Sequence, residues 1–126
     1  MNPIDKLRQM LTEADISFES YEEDYPPMTD PRLKSFFDVA YGEASKWQRN
    51  QIIYGRYNDN RRKFGWKIDA IYQRGSYGCT RGLLETYGTL GVDDKNNPLT
   101  MTPKEVFKII SDDWNKLSEK EKNALL

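Results

Sequence analysis

The residue types best suited to chemistry are gathered in one stretch, Tyr72-Gln-Arg-Gly-Ser-Tyr-Gly-Cys-Thr-Arg-Gly82. Glycines let backbone N–H groups converge on an anion, and a helix N-terminus adds positive potential. On that chemistry Gly75 and Gly78 would cradle an oxygen, while Arg74, Ser76 and Arg81 contact a phosphate. Tyr77, Trp66 or Phe64 would stack on a base. The spacing matches neither the Walker A pattern nor G-x-G-x-x-G, and a bare G-x-x-G arises readily by chance. A second reading therefore stands beside the first: the glycines simply turn the chain sharply between a strand and a helix.

Charge points to the same region. Residues 1–48 carry 5 Lys/Arg against 10 Asp/Glu, residues 49–81 carry 8 against 2, and residues 82–126 carry 6 against 8. Six of the eight central cations are arginines, whose planar fork suits phosphate and carboxylate. Arg56, Arg61, Arg62, Arg74 and Arg81 are the expected phosphate contacts, with Trp66 as an aromatic neighbour. The plainer alternative is a solvated hairpin whose basic face attracts the acidic N-terminal segment. Arg61-Arg-Lys63 beside Phe64 and Trp66 would also suit a nucleic-acid backbone, but the net charge of −1 argues against a nucleic-acid-binding domain.

Composition closes off much of enzyme chemistry. There is no histidine and only one cysteine. Ser-His-Asp and Cys-His catalysis, His-ligated zinc and four-cysteine zinc are excluded. The lone Cys79 reads as structural and fits a reducing cytoplasm. Asp93-Asp-Lys-Asn-Asn97 reads as a turn, since it lacks the spacing of a calcium loop. The acidic stretch Glu19–Asp30 reads as a solvated loop. A nucleotide-cleaving role for Asp69 or Glu85 with a metal is the least favoured reading. No cofactor is expected. No apolar run is long enough to cross a bilayer, and the N-terminus lacks the apolar stretch of a secretory signal.

These residues must be positioned by a single α+β domain over residues 1–126. Asn2-Pro3 and Asp30-Pro31 each read as an N-cap followed by proline at the first helical position. The second helix carries Leu33, Phe36, Phe37, Ala40, Ala44 and Trp47 on one face, expected to be core, with Gly42 a weak point. Strands are expected at Ile16–Tyr21, Asn50–Tyr57 and Trp66–Gln73, and a short helix at Leu83–Tyr87. Thr102-Pro-Lys-Glu105 is a capping box, and Ser118-Glu-Lys-Glu121 repeats it. The sum is a small antiparallel sheet of two or three strands, built on a central hairpin and packed against N-terminal and C-terminal helices.

Four strings, Arg49-Asn-Gln-Ile-Ile-Tyr-Gly-Arg56, Tyr72-Gln-Arg-Gly-Ser-Tyr-Gly78, Gly82-Leu-Leu-Glu-Thr-Tyr-Gly88 and Met101-Thr-Pro-Lys-Glu-Val-Phe107, carry a resemblance. They resemble small accessory proteins of phages, prophages and mobile elements of Gram-positive gut bacteria. The likeness covers most of residues 49–115 and brings no catalytic motif. It implies a non-enzymatic counter-defence protein in the host bacterial cytoplasm. Such a protein would sequester an anionic nucleotide-like signal, in a pocket completed across a homo-oligomer interface. The alternative is a protein–protein inhibitor of a host defence nuclease, of the anti-CRISPR type.

Overall fold

The computed structural model describes residues 1–57 and 65–125. Helix α1 (Pro3–Glu13) opens at Asn2, whose side chain accepts from the Asp5 amide. Leu11 and Ile16 then anchor the turn into strand β1 (Glu19–Asp24). Helix α2 (Pro31–Tyr41) opens at Asp30, whose side chain accepts from the Arg32 amide. A 3-10 turn, Gly42–Lys46, leads into β2 (Trp47–Tyr54). Strand β3 (Ile68–Ile71), a 3-10 turn at Cys79–Arg81, and strands β4 (Leu84–Tyr87) and β5 (Leu99–Met101) follow. Helices α3 (Pro103–Lys116) and α4 (Glu119–Ala124) close the chain, each with the capping box expected from its sequence.

The sheet has five strands rather than two or three, in the order β1-β2-β3-β4-β5, with every pairing antiparallel. Alternation sends Ile52, Tyr54, Ile68, Ala70 and Leu84 to one face. There they join Ile4, Leu7 and Leu11 of α1 and Val106 and Ile110 of α3 in the core. Tyr54 Oη donates to Asp113 Oδ2 at 2.7 Å and Lys67 Nζ donates to the same oxygen at 2.8 Å, tying β2 and the residue just before β3 to α3. Burial, and then Asp113, push the Tyr54 phenol far above its ordinary pKa. The fold class is thus the α+β arrangement expected, with terminal helices on one sheet face.

Three local expectations are corrected. Leu83–Tyr87 is strand, not helix: Leu84 pairs with Met101 and Ala70 with Thr86, so β4 is held on both sides. So short a helix has little stability of its own, and ladder hydrogen bonds on two edges override its helical propensity. The acidic stretch is not all loop, because Glu19–Asp24 pairs with β2. Helix α2 also stops where Gly42 takes φ +60°, so Ala44 falls in the 3-10 turn and Trp47 in β2.

Helix α2 buries none of its residues. Of the expected core stripe, Leu33 and Phe36 are 52% and 63% exposed, Phe37 and Ala40 are half-buried, and Ala44 and Trp47, beyond the helix, are in the core; Val39, outside the stripe, is 83% exposed. Phe37 packs against Tyr41, with ring centres 6.0 Å apart. Among the described residues, no helix is long and apolar enough to cross a membrane.

Candidate functional site

The residues expected to share one anion site fall at opposite ends of the central hairpin. Arg56 and Trp66 lie beyond the Tyr54–Ile68 pair, with the Arg56 guanidinium 6.0 Å from the Trp66 ring centre. Arg56 Nε donates to Glu19 Oε2 at 2.6 Å, a bridge between the basic middle and the acidic N-terminal segment. Arg49 makes a looser one with Glu23 at 3.9 Å. Arg61, Arg62 and Phe64 lie outside the described residues. Arg74 sits at the other end, where its amide donates to the Trp47 carbonyl at 3.1 Å. The eight residues of β2 separate the two groups, roughly 25 Å at the usual strand rise.

The glycine loop is a closed turn. Gly75 and Gly78 adopt φ +84° and +79°, a conformation that glycine reaches without strain. Ser76 is buried; its Oγ accepts from the Gln73 amide at 3.1 Å and donates to the Gln73 carbonyl at 2.9 Å. The Tyr77 amide donates to Glu85 Oε1 at 2.7 Å, and the Cys79 amide to the Ser76 carbonyl at 3.2 Å. The chain's own carboxylate therefore occupies the position expected for a ligand oxygen. The element that follows is a three-residue 3-10 turn leading to β4, so the expected helix N-terminus is missing. The Tyr77 side chain is exposed and Arg81 lies on the surface.

The Arg74 side chain enters a different environment. Its Nε donates to the Ser45 carbonyl at 2.9 Å. The guanidinium carbon lies 3.7 Å from the Tyr25 ring centre and 4.3 Å from that of Phe37. Contacts of this kind contribute about 0.5–2 kcal/mol each and fix the plane of the fork. Its terminal nitrogens make no hydrogen bond with a described residue. Arg74 borders a cleft of about 340 Å³, whose wall is Tyr25, Pro26, Pro27, Met28 and Phe37. Lys34, Lys46, Asp24 and Asp38 complete its rim.

Local sequence explains how the cleft is built. The Tyr25 amide donates to the Lys46 carbonyl at 2.9 Å, which draws the proline-containing loop onto the 3-10 turn. Ser45 is buried in that turn; its Oγ donates to Asp38 Oδ1 at 3.0 Å while its carbonyl receives Arg74. Lys34 Nζ donates to Asp38 Oδ2 at 2.7 Å. Lys34 and then Ser45 hold the Asp38 carboxyl below the usual carboxylate range. Lys46 Nζ lies 4.7 Å from the Trp47 ring centre.

Sequence reasoning identified Arg74 but missed Tyr25, Lys34, Phe37, Ser45 and Lys46. They come from separate segments, and the one local signal that could have found any of them is the stiffness of the Tyr25-Pro-Pro27 string, read above as part of a solvated loop.

A second concavity, of about 430 Å³, is lined by Tyr57, Trp66, Asp69 and Tyr87 among others. Asp69 is buried and accepts from Gln51 Nε2 at 2.7 Å and the Tyr87 amide at 2.8 Å. Burial raises its pKa above the ordinary 3.8. No group of three or more Cys, Asp or Glu side chains placed to hold a metal occurs among the described residues. The turn at Asp93 is as expected: its Oδ1 accepts from the Lys95 and Asn97 amides. Cys79 is buried, with Sγ 3.8 Å from the Tyr41 carbonyl oxygen.

No family model matches the chain, and neither the curated proteins nor the solved structures contain a significant match to it.

Proposed function

We propose that this is a non-catalytic binding protein that sequesters a phosphate-bearing, nucleotide-like ligand, in the setting of phage-type counter-defence. The observation that carries the binding role is Arg74: its Nε is anchored to Ser45, its guanidinium carbon lies 3.7 and 4.3 Å from two aromatic ring centres, and the residue lines a cleft. A guanidinium held in this way is organised for two parallel hydrogen bonds to an oxyanion before the ligand arrives. The Pro26, Pro27 and Met28 wall offers apolar surface to the rest of the ligand. The counter-defence setting is supported by the sequence resemblance of residues 49–115. The site moves from the glycine loop to the cleft, and Arg74 is the residue common to both.

Thermal unfolding against linear, cyclic and ADP-ribose-derived nucleotides tests this directly. A ligand at about 100 times its Kd stabilises the fold by roughly 2.7 kcal/mol, several degrees in a domain of this size. A shift with one nucleotide class that disappears in Arg74→Ala is the expected result. A flat panel contradicts the proposal.

A second reading, occlusion of a host defence nuclease by protein–protein contact, is favoured by the exposed Leu33, Phe36 and Val39 on α2. Contiguous exposed apolar surface of this kind is a feature of interaction sites. It predicts a stoichiometric protein complex, lost in Phe36→Asp and indifferent to nucleotides.

A further inference from the structure

We infer that the Arg74 cleft selects a singly charged phosphodiester over a doubly charged phosphomonoester, and that Asp38 is the residue that sets this preference. The inference rests on the proposed phosphate-binding role of the cleft and specifies its ligand class.

Three cations, Lys34, Lys46 and Arg74, line the cleft together with two carboxylates, Asp24 and Asp38, a net charge of one positive. Asp38 is fixed in place, with Oδ1 held by Ser45 and Oδ2 by Lys34. Lys34 is thereby committed to a carboxylate of the protein. The cation left for a ligand at the heart of the cleft is Arg74, with Nε already used by Ser45. Its remaining fork matches two non-bridging oxygens that share one negative charge.

A phosphodiester has those two oxygens and that single charge. Both of its ester arms are uncharged at the phosphorus and can follow the apolar wall of Tyr25, Pro26, Pro27 and Met28. A phosphomonoester brings a third oxygen and, at pH 8, a second charge. That extra charge would face Asp38 and Asp24 with no uncommitted cation beside Arg74 except Lys46 at the rim. Partial exposure of the Lys34–Asp38 pair screens the repulsion, so the discrimination is moderate.

Isothermal calorimetry at pH 8 and low salt, with methyl phenyl phosphate and phenyl phosphate as probes, measures it. The two differ by one methyl and one charge and carry no nucleobase. The wild type is expected to bind the diester about fivefold more tightly. In Asp38→Asn, which keeps the acceptor for Ser45 and releases Lys34, the monoester should gain most and the ratio should fall to about one. Arg74→Ala should lose both. Equal or tighter binding of the monoester by the wild type overturns the inference while leaving the phosphate site intact, as does a ratio unchanged in Asp38→Asn. If neither probe binds the folded wild type, the phosphate site and the inference fall together.

Discussion

The loop at Gly75–Gly78 and the cleft around Arg74 are neighbours in sequence and offer an anion opposite receptions. The loop has the composition of an oxyanion cradle, yet the donors of its two central residues are spent within the fold: the Ser76 amide and hydroxyl on the Gln73 carbonyl, and the Tyr77 amide on Glu85. The cleft has no signature spacing, yet it presents a guanidinium whose terminal nitrogens lack partners among the described residues. A buried donor already satisfied gains little from a ligand, because binding must first break an existing hydrogen bond. Donor satisfaction, more than composition, separates a turn from a site.

The widest gap between the two regions should be opened by Glu85→Ala. It leaves the Tyr77 amide without its acceptor and should cost about 1–3 kcal/mol in chemical denaturation. Phosphodiester affinity should stay within about twofold. Arg74→Ala should do the reverse, weakening binding by about tenfold or more, equivalent to about 1.4 kcal/mol. Circular dichroism should show the fold retained.

Gly75→Ala sharpens the contrast. Its φ of +84° strains any side chain, although no atom beyond the adjacent residues lies within 4 Å of the added methyl. A stability loss of about 1 kcal/mol with unchanged affinity is expected. The smallest effect belongs to Phe36→Ala on the open face of α2, which should change stability by less than about 0.5 kcal/mol and affinity not at all. A large loss of stability there would mean that α2 is held more tightly than its exposure implies.

What could be read from the sequence was local. Asn2, Asp30, Thr102 and Ser118 all cap helices as expected, because a cap depends on residues two or three positions away. The β4 strand was hidden because Leu-Leu-Glu has helical propensity while its partners, β3 and β5, are set by the whole sheet. The α2 stripe was misread because periodicity reports an apolar face without reporting what covers it. For the site, Arg74 was visible as an arginine in a basic segment. Its partners were not, since Tyr25, Phe37 and Ser45 meet it only after β1 and β2 pair and the 3-10 turn folds back.

Nuclear magnetic resonance titration with methyl phenyl phosphate, following the Arg74 terminal Nη–H groups and the backbone amides of Gly75, Tyr77 and Gly78, tests the central claim most directly. Arg74 acting as the receptor predicts a saturable shift at Nη–H, with the Tyr77 amide unchanged because Glu85 still holds it. Saturable shifts at the Tyr77 and Gly78 amides, with the Arg74 Nη–H groups unmoved, would return the site to the glycine loop and contradict the account.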